Sequence, residues 1–481
     1  MRIVASCIVA LGLTLCACAT NPVTGARDFA VVSEPDEIDQ GRRYHGEIIA
    51  TYGVYDDARL QQYVNRIGQE LASKSHRSHL KFTFTVLDSP DINAFALPGG
   101  YVYITRGIMA YLASEAELAG VLGHEIGHVT ARHSVRQQSG QIASGILSIL
   151  ITAATGSQSL GNLSNQLGTG LIRGYGREHE LEADRLGAEY LHKSGYNPET
   201  MLDVVGVLKD QEIYERALAA RENREPNIYH GVFSTHPRND DRLQTVVRAA
   251  KNLSRQSYRD GNQDAYYDMI DGLAWGPSIR QGIVVENRFA HPDLAFALQL
   301  PHGWRVRNNP QYLEASDPET GALLQVGLVE RRDNESLSGL LRRISGNGGI
   351  EVSSTAYGAT AITRVKPQGG DYQPARISAI ALEESQALTL FGTSAADKFA
   401  ATDSILLATS QSFTRLGQAQ VDALRAPRLR IVRRISPSFA ALAGQSAIEY
   451  DAESILRLLN RAYPDGDIKA IDRLKVVNVD G

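Results

Sequence analysis

Cysteine is nearly missing from this chain of 481 residues: Cys7, Cys16 and Cys18 are its three, all within the first eighteen positions. No disulfide framework can form beyond them. An excess of one charge is missing too. Forty-nine basic residues face 54 acidic ones, a formal net charge of −5 with pI near 6.2, so no basic field awaits nucleic acid. Long apolar runs are also lacking. The longest, near the start and at "ILSILITAA" (146–154), fall short of the roughly 20 residues that cross a bilayer as a helix. What remains is ordinary globular composition, 43% hydrophobic and 21% charged, in a length that suggests two to four domains.

The opening "MRIVASCIVALGLTLCAC" has one charge, Arg2, then a short apolar run and small residues, the pattern of a secretory signal peptide over 1–17. Its end, Leu15-Cys16-Ala17-Cys18, resembles a bacterial lipobox, which implies cleavage before Cys18 and lipid on its thiol. Ala19 follows Cys18 where retention at the inner membrane favours aspartate, so attachment to the outer membrane facing the periplasm is expected. Residues 18–34 have little periodicity and read as a lipidated tether.

From Glu34 to about Leu71 apolar residues recur every three to four positions, "LKFTFTVLD" (80–88) and "GGYVYITRG" (99–107) alternate, and helices are expected at 176–195, 198–220 and 237–254. Residues 35–275 are therefore expected to form a mainly helical domain with a small sheet. Segments such as "DLAFALQL", "ALLQVGLVE" and "ARISAIALEE" then read as strands of an antiparallel α+β domain over 285–415, whose opening and ending resemble the PsbP/Mog1-like fold. Residues 427–479 run strand, helix, helix, strand and resemble a LysM module, which implies peptidoglycan glycan as a partner. The usual Gly-Asp-Thr-Leu turn is replaced by Ser436-Pro437-Ser438-Phe439.

The residues that carry chemistry gather in "AGVLGHEIGHVTARH" (119–133). Ser114 and Glu117 form an S-x-x-E capping box opening a helix from Glu115 to about Gln138. On it His124 and His128 lie one turn apart, about 6 Å along the axis and about 40° around it, so both imidazoles reach one ion. Catalytic zinc takes three protein ligands and keeps a position open; it acidifies water, and an adjacent carboxylate such as Glu125 takes the proton. Gly123 and Gly127 thin this helix for a close neighbour. A metzincin arrangement needs glycine at 131 and histidine at 134, where this chain has Ala131 and Ser134. His133, about 140° round the helix from His128, is read as structural. The helix at 176–195 offers Glu180 and Asp184 four residues apart, one carboxylate to bind the ion and one to hold a ligand histidine's remaining N–H. A solvated acidic face of Glu178, Glu180, Glu182 and Asp184 is the plain alternative.

"HEIGH" followed by "EHELEAD" resembles the HtpX-like and CAAX-prenyl-protease family of gluzincin metallopeptidases, over about 35–255. The resemblance implies one zinc per chain on His124, His128 and Glu180, with Glu125 as general base and Asp184 behind a ligand histidine. "NAFALPGGYVYITRG" (93–107) matches the family's stretch before the active helix, which implies that Asn93, Ala94 and Phe95 lie where substrate backbone pairs in extended form. "FSTHPRNDDRL" (233–243) matches another family element. It implies that His236 either donates to the developing oxyanion or, as in some periplasmic relatives, fills zinc's open position and holds the enzyme off, with Arg242 assisting. The stretch 139–176 has eight glycines and one charge, Arg173; a buried helical hairpin, a flap over the cleft and a surface touching unfolded membrane proteins are all open there.

The expected fold class is α+β: a zincin-type helical protease domain with a small sheet, an antiparallel α+β domain, and a small βααβ module. The expected function is a zinc endopeptidase acting on misfolded or stalled envelope proteins. The alternative is a chaperone or peptidoglycan-binding scaffold with a latent zinc site. No nucleic-acid partner is expected.

Overall fold

A computed structural model describes residues 18–29, 32–139, 176–226, 253, 257–285, 287–308, 312–346, 350–366, 372–383, 385–433 and 437–479. The expected signal peptide, most of the Gly-rich stretch, the 237–254 helix, His236 and Arg242 lie outside the described residues. The chain divides into two compact units, one of residues up to 275 together with 428–478, the other centred on 276–427.

The first unit starts with an antiparallel ribbon of β1 (Cys18–Thr20) and β2 (Arg27–Phe29), where only a tether was expected. Asn21 turns it: its side-chain oxygen accepts the N–H groups of Val23 and Thr24 at 2.8 and 3.0 Å, a local bond that stands in for a ladder. Helices α1 (Glu34–Tyr52) and α2 (Ala58–Ala72) follow, capped by Ser33 and Asp57. In α2, Leu60, Val64, Ile67 and Leu71 recur on one face and are fully buried, the stripe of a core-facing helix. Three strands come next, β3 (Thr83–Leu87), β4 (Ala94–Leu97) and β5 (Tyr101–Thr105). Their order is β3-β5-β4, with β3 parallel and β4 antiparallel to β5. The β4–β5 turn needs glycine: Gly99 has φ +78°, and a Cβ there would lie 2.7 Å from the Ile38 Cα.

Helix α3 (Arg106–Tyr111) leads into α4 (Glu115–Thr130), every residue of which is buried. Helices α5 (Arg177–Lys193), α6 (Thr200–Arg221) and α7 (Gln263–Ile270) complete this part. The expectation that α4 runs to about Gln138 is corrected. It stops at Thr130 because Arg132 adopts a left-handed φ of +55°, through which a right-handed helix cannot continue. Arg132 is held there by the Glu37 carboxylate at 2.9 Å and the Val32 carbonyl at 2.8 Å, and helical backbone resumes over 133–139.

The second unit has the antiparallel α+β organisation that its alternating segments predict. Strands β6 (Ile283–Val285), β7 (Arg288–His291) and β8 (Phe296–Gln299) form one sheet with a short later strand. β9 (Arg305–Asn308), β10 (Tyr312–Ser316), β11 (Leu323–Glu330), β12 (Val352–Ser354), β13 (Gly358–Val365), β14 (Gln373–Ala381) and β15 (Gln386–Thr393) form a second, in the order β12-β13-β14-β15-β11-β10-β9. Helix α8 (Leu337–Ile344) packs against β13 and β14, and α9 (Phe399–Gln411) against β14 and β15.

The chain then returns to the first unit. β16 (Pro427–Arg433), α10 (Phe439–Ala443), α11 (Ala452–Leu459) and β17 (Arg473–Val479) have the expected β-α-α-β order, but residues 428–478 are not a unit of their own. Leu429, Phe439, Leu456, Leu474 and Val477 share one apolar core with Leu118, Leu122 and Ile126 of α4. Lys475, fully buried, donates to the carbonyls of Ala110 and Leu112 at 2.8 and 2.5 Å, groups a helix end leaves without intrahelical partners. Burial pushes its pKa down to about 7 against the pull of Glu117, and Glu117 is itself paired with Arg461. Leu456→Ala and Leu474→Ala should each cost about 2–5 kcal/mol, read from the denaturation midpoint. Removing 428–481 should lower the melting temperature of the first unit; an unchanged transition would mean that this segment is a separate module.

Candidate metal centre

Helix α4 is positioned by its cap and its glycines. The Ser114 hydroxyl accepts the Glu117 N–H at 3.2 Å, and the Glu117 carboxylate takes the Ala113 N–H at 2.8 Å, so two donors of the first turn region are satisfied. Helix α5 lies directly on α4. A Cβ at Gly123 would meet the Leu191 Cδ1 at 2.9 Å, and one at Gly127 the Ala183 carbonyl oxygen at 2.9 Å. A side chain at Gly127 would press on the α5 backbone and push the helices apart, and one at Gly123 would displace the end of the Leu191 side chain.

That approach brings three donors together. His124 Nε2 and His128 Nε2 are 3.0 Å apart, and the Glu180 carboxylate oxygens lie 3.5 Å from the first and 3.4 Å from the second. Ligands on a tetrahedral zinc with bonds of about 2.0–2.1 Å are separated by roughly 3.3–3.4 Å, so the spacing fits the ion. Among the described residues this is the one group of three such donors that could share a metal. All three are buried, Glu180 at 1% exposure. A carboxylate and two imidazoles gathered away from water need a cation or protons to be stable.

Each histidine is oriented through its other ring nitrogen. His124 Nδ1 lies 2.9 Å from the Asp184 carboxylate, which is fully buried, so Nδ1 carries the proton and Nε2 turns a lone pair toward the centre. His128 Nδ1 is 2.8 Å from His133 Nδ1, and His133 Nε2 is 3.1 Å from a Glu182 oxygen. Burial pushes the His133 pKa down, against the opposing pull of Glu182, so the ring is neutral at pH 7. Its Nε2–H faces the carboxylate, and its Nδ1 therefore accepts from His128 Nδ1–H. His128 Nε2 is left as the free lone pair. Glu182 is held well ionised, its pKa lowered to about 2 by His133 and by Arg136, whose Nη1 is 2.7 Å away.

This corrects the reading of His133 as merely structural. The 140° argument assumes that α4 continues, and the left-handed Arg132 brings His133 back under His128 instead. Sequence reasoning missed it because nothing local announces a non-glycine in that conformation. Glu182, grouped with a solvated acidic face, is the second residue missed.

Glu125, next to His124, is 1% exposed and shares a cavity wall with His124 and Ala94. β4 is one of the two edge strands in the sheet order. Of the three residues expected there, Asn93 precedes the strand, its carbonyl accepting from the Thr105 N–H and hydroxyl. The Phe95 ring stacks on Tyr103 at 4.9 Å. Asp184→Asn and His133→Phe should each weaken zinc binding about 10–100-fold in chelator competition, with far-UV circular dichroism unchanged. Glu178→Gln, at the exposed start of α5, should leave binding as it is.

Residues 58–250 match the profile of Peptidase family M48. The chain is 31% identical over 257 residues to the Beta-barrel assembly-enhancing protease of Escherichia coli K12, covering 51% of this chain and 50% of that protein. It is 29% identical over 231 residues to the Mitochondrial metalloendopeptidase OMA1 of Schizosaccharomyces pombe, covering 47% of this chain and 64% of that one. The chain thus spans about half the length of the beta-barrel assembly-enhancing proteases it matches. The solution structure of cyanobacterial PsbP from Synechocystis aligns with 28% of this chain and 95% of its own at 14% identity, with a TM-score of 0.21, too slight a likeness to argue from. His124, His128 and Glu180, the donor cluster that fits a zinc ion, all lie within the stretch that matches the profile of Peptidase family M48.

Proposed function

We propose that this protein is a zinc endopeptidase of the bacterial envelope that hydrolyses peptide bonds in misfolded or stalled periplasmic and outer-membrane proteins. One observation carries the chemistry: a buried His-His-Glu cluster that fits zinc, with a carboxylate, Glu125, beside it on the same helix. The names of the two relatives, an assembly-enhancing protease and a metalloendopeptidase, support the reaction and, for the first, the substrate class.

Zinc, when bound, supplies a Lewis acid that makes water acidic and polarises a peptide carbonyl. The protein's residues do the rest. His124, His128 and Glu180 hold the position, while Asp184 and the His133–Glu182 pair keep both rings turned toward it. Glu125 accepts a proton from the attacking water as the oxygen bonds to the scissile carbon, then returns it to the leaving nitrogen as the C–N bond breaks. An extended substrate laid along β4 brings its backbone past this carboxylate. Cleavage before Cys18 and lipid on its thiol would tether the enzyme to the outer membrane, facing the periplasm. Peptidoglycan glycan as a ligand of the βααβ segment 427–479 belongs to the alternative scaffold reading, which co-sedimentation with insoluble sacculi tests.

Glu125→Gln keeps the side chain's size but cannot take the proton. Casein cleavage should fall by about 10²–10⁴-fold while bound zinc and melting temperature stay put; full activity in this variant would remove the general base from the account. His236→Ala separates its two expected roles: loss of an oxyanion donor lowers cleavage by about 10²-fold or more, whereas loss of a blocking ligand raises it. Cys18→Ser should abolish lipid labelling and move the protein from the membrane to the soluble fraction.

A further inference from the structure

Two residues that flank α11 have positive φ although neither is glycine, Asp451 at +48° and Arg461 at +57°. Such backbone is strained for a residue with a Cβ and persists only where neighbours hold it, often at a site with a task. Both side chains reach out of their own segment. Arg461 pairs with Glu117 in the first turn of α4 and donates to the Asp203 carbonyl, in the first turn of α6, at 3.3 Å. Asp451 pairs with Arg221 at the far end of α6. From this bridge we infer that Arg461 is a positioning residue for cleavage, holding α6 at its working distance from α4. This inference rests on the peptidase reading.

Three observations support it. First, the bridge ends where the cleft beside the metal donors begins. Glu117 lies one turn before Gly120 and Asp203 is next to Val204, and Gly120 and Val204 line a cavity together with His124 and Glu125. A shift of α6 would therefore move the wall that faces the general base. Second, α4 and α6 are close there. A Cβ on Gly120 would lie 3.3 Å from the Val204 Cγ2, so a small displacement of one helix is felt by the other. Third, the arginine is fixed at both ends. At its base, Asn460 donates to the Leu456 and Lys475 carbonyls, each at 2.8 Å, and accepts the Lys475 N–H at 2.8 Å. At its tip, Glu117 is 5% exposed, and a buried carboxylate that loses its cation is costly. A planar guanidinium can serve that carboxylate and a second acceptor at once.

Two measurements test this, one of cleavage and one of distance, each with Arg461→Ala and a matched control. The control is Arg457→Ala: Arg457 lies one turn earlier on α11 and bonds within its own segment, to Glu453 at 2.9 Å and to the Gly466 carbonyl at 2.8 Å. Both variants should lower the melting temperature. Assayed as zinc-loaded full chains, where circular dichroism shows each fully folded, only Arg461→Ala should lose kcat/KM on fluorogenic casein, by about 10–100-fold. Equal losses in the two variants, or no loss in Arg461→Ala, would reduce Arg461 to a stabilising residue and overturn the assignment. For the distance, the three native cysteines are replaced by serine, and spin labels are placed on cysteines at the exposed Ala217 of α6 and Gln62 of α2; α2 packs on α4. The distance distribution should broaden or shift in Arg461→Ala and stay as it is in Arg457→Ala. An unmoved distribution in Arg461→Ala also overturns the assignment. If no protein cleaves casein while that distance still moves, the peptidase reading is lost and the hold of Arg461 on α6 stands. Should Arg461→Ala not fold, Arg461→Lys decides: it keeps a charge beside Glu117 but loses the fork that spans to Asp203. Its kcat/KM should still fall about tenfold, and an unchanged value contradicts the account of the bridge.

Discussion

Two helices in backbone contact govern the chemistry of the first unit. Gly123 and Gly127 on α4 and Gly187 on α5 remove the side chains that would hold the axes apart; a Cβ on Gly187 would sit 3.0 Å from the His124 nitrogen. Only at this separation does Glu180 come within 3.5 Å of both histidines. Packing energy thus fixes a ligand distance. A methyl group inserted at Gly127 would act on the metal centre through the backbone, although it touches no ligand atom.

The same contact buries the cluster, and burial makes the outer partners matter. In a site with little water, an imidazole that turned its protonated nitrogen inward would offer no lone pair to an ion. Asp184 prevents this for His124. For His128 the task passes through His133 to Glu182 and Arg136, and that chain depends on the left-handed turn at Arg132. The turn is clamped from α1: Glu37, 1% exposed, pairs with Arg132 at 2.9 Å and with the fully buried Arg77 at 2.7 Å. Arg77 in turn donates to the Val129 carbonyl at 3.0 Å, near the end of α4. A helix far from the motif in sequence therefore helps to orient a ligand.

Much of this was legible in the sequence because it is periodic or local. The i, i+4 histidines, the Ser114 cap, the glycines of α4 and the carboxylates of α5 each follow from spacing, and the alternating segments after 285 fold as strands. What was not legible depends on partners distant in the chain. The end of α4 rests on Arg132 meeting Glu37, about a hundred residues earlier. His133 acquires its role only after that turn. Residues 428–478 repeat a recognisable strand and helix order, yet Lys475 and Leu474 find their partners on α3 and α4, which no local pattern records.

The central claim is that one buried His-His-Glu cluster binds zinc and that cleavage depends on it. Chelator-stripped protein titrated with zinc, reading bound metal and casein cleavage in the same samples, tests it most directly. Both signals should rise together and saturate at about one equivalent per chain, as a single three-donor site requires, and both should be lost in Glu180→Ala. Cleavage by the stripped protein, or zinc binding that Glu180→Ala leaves unchanged, would contradict the account.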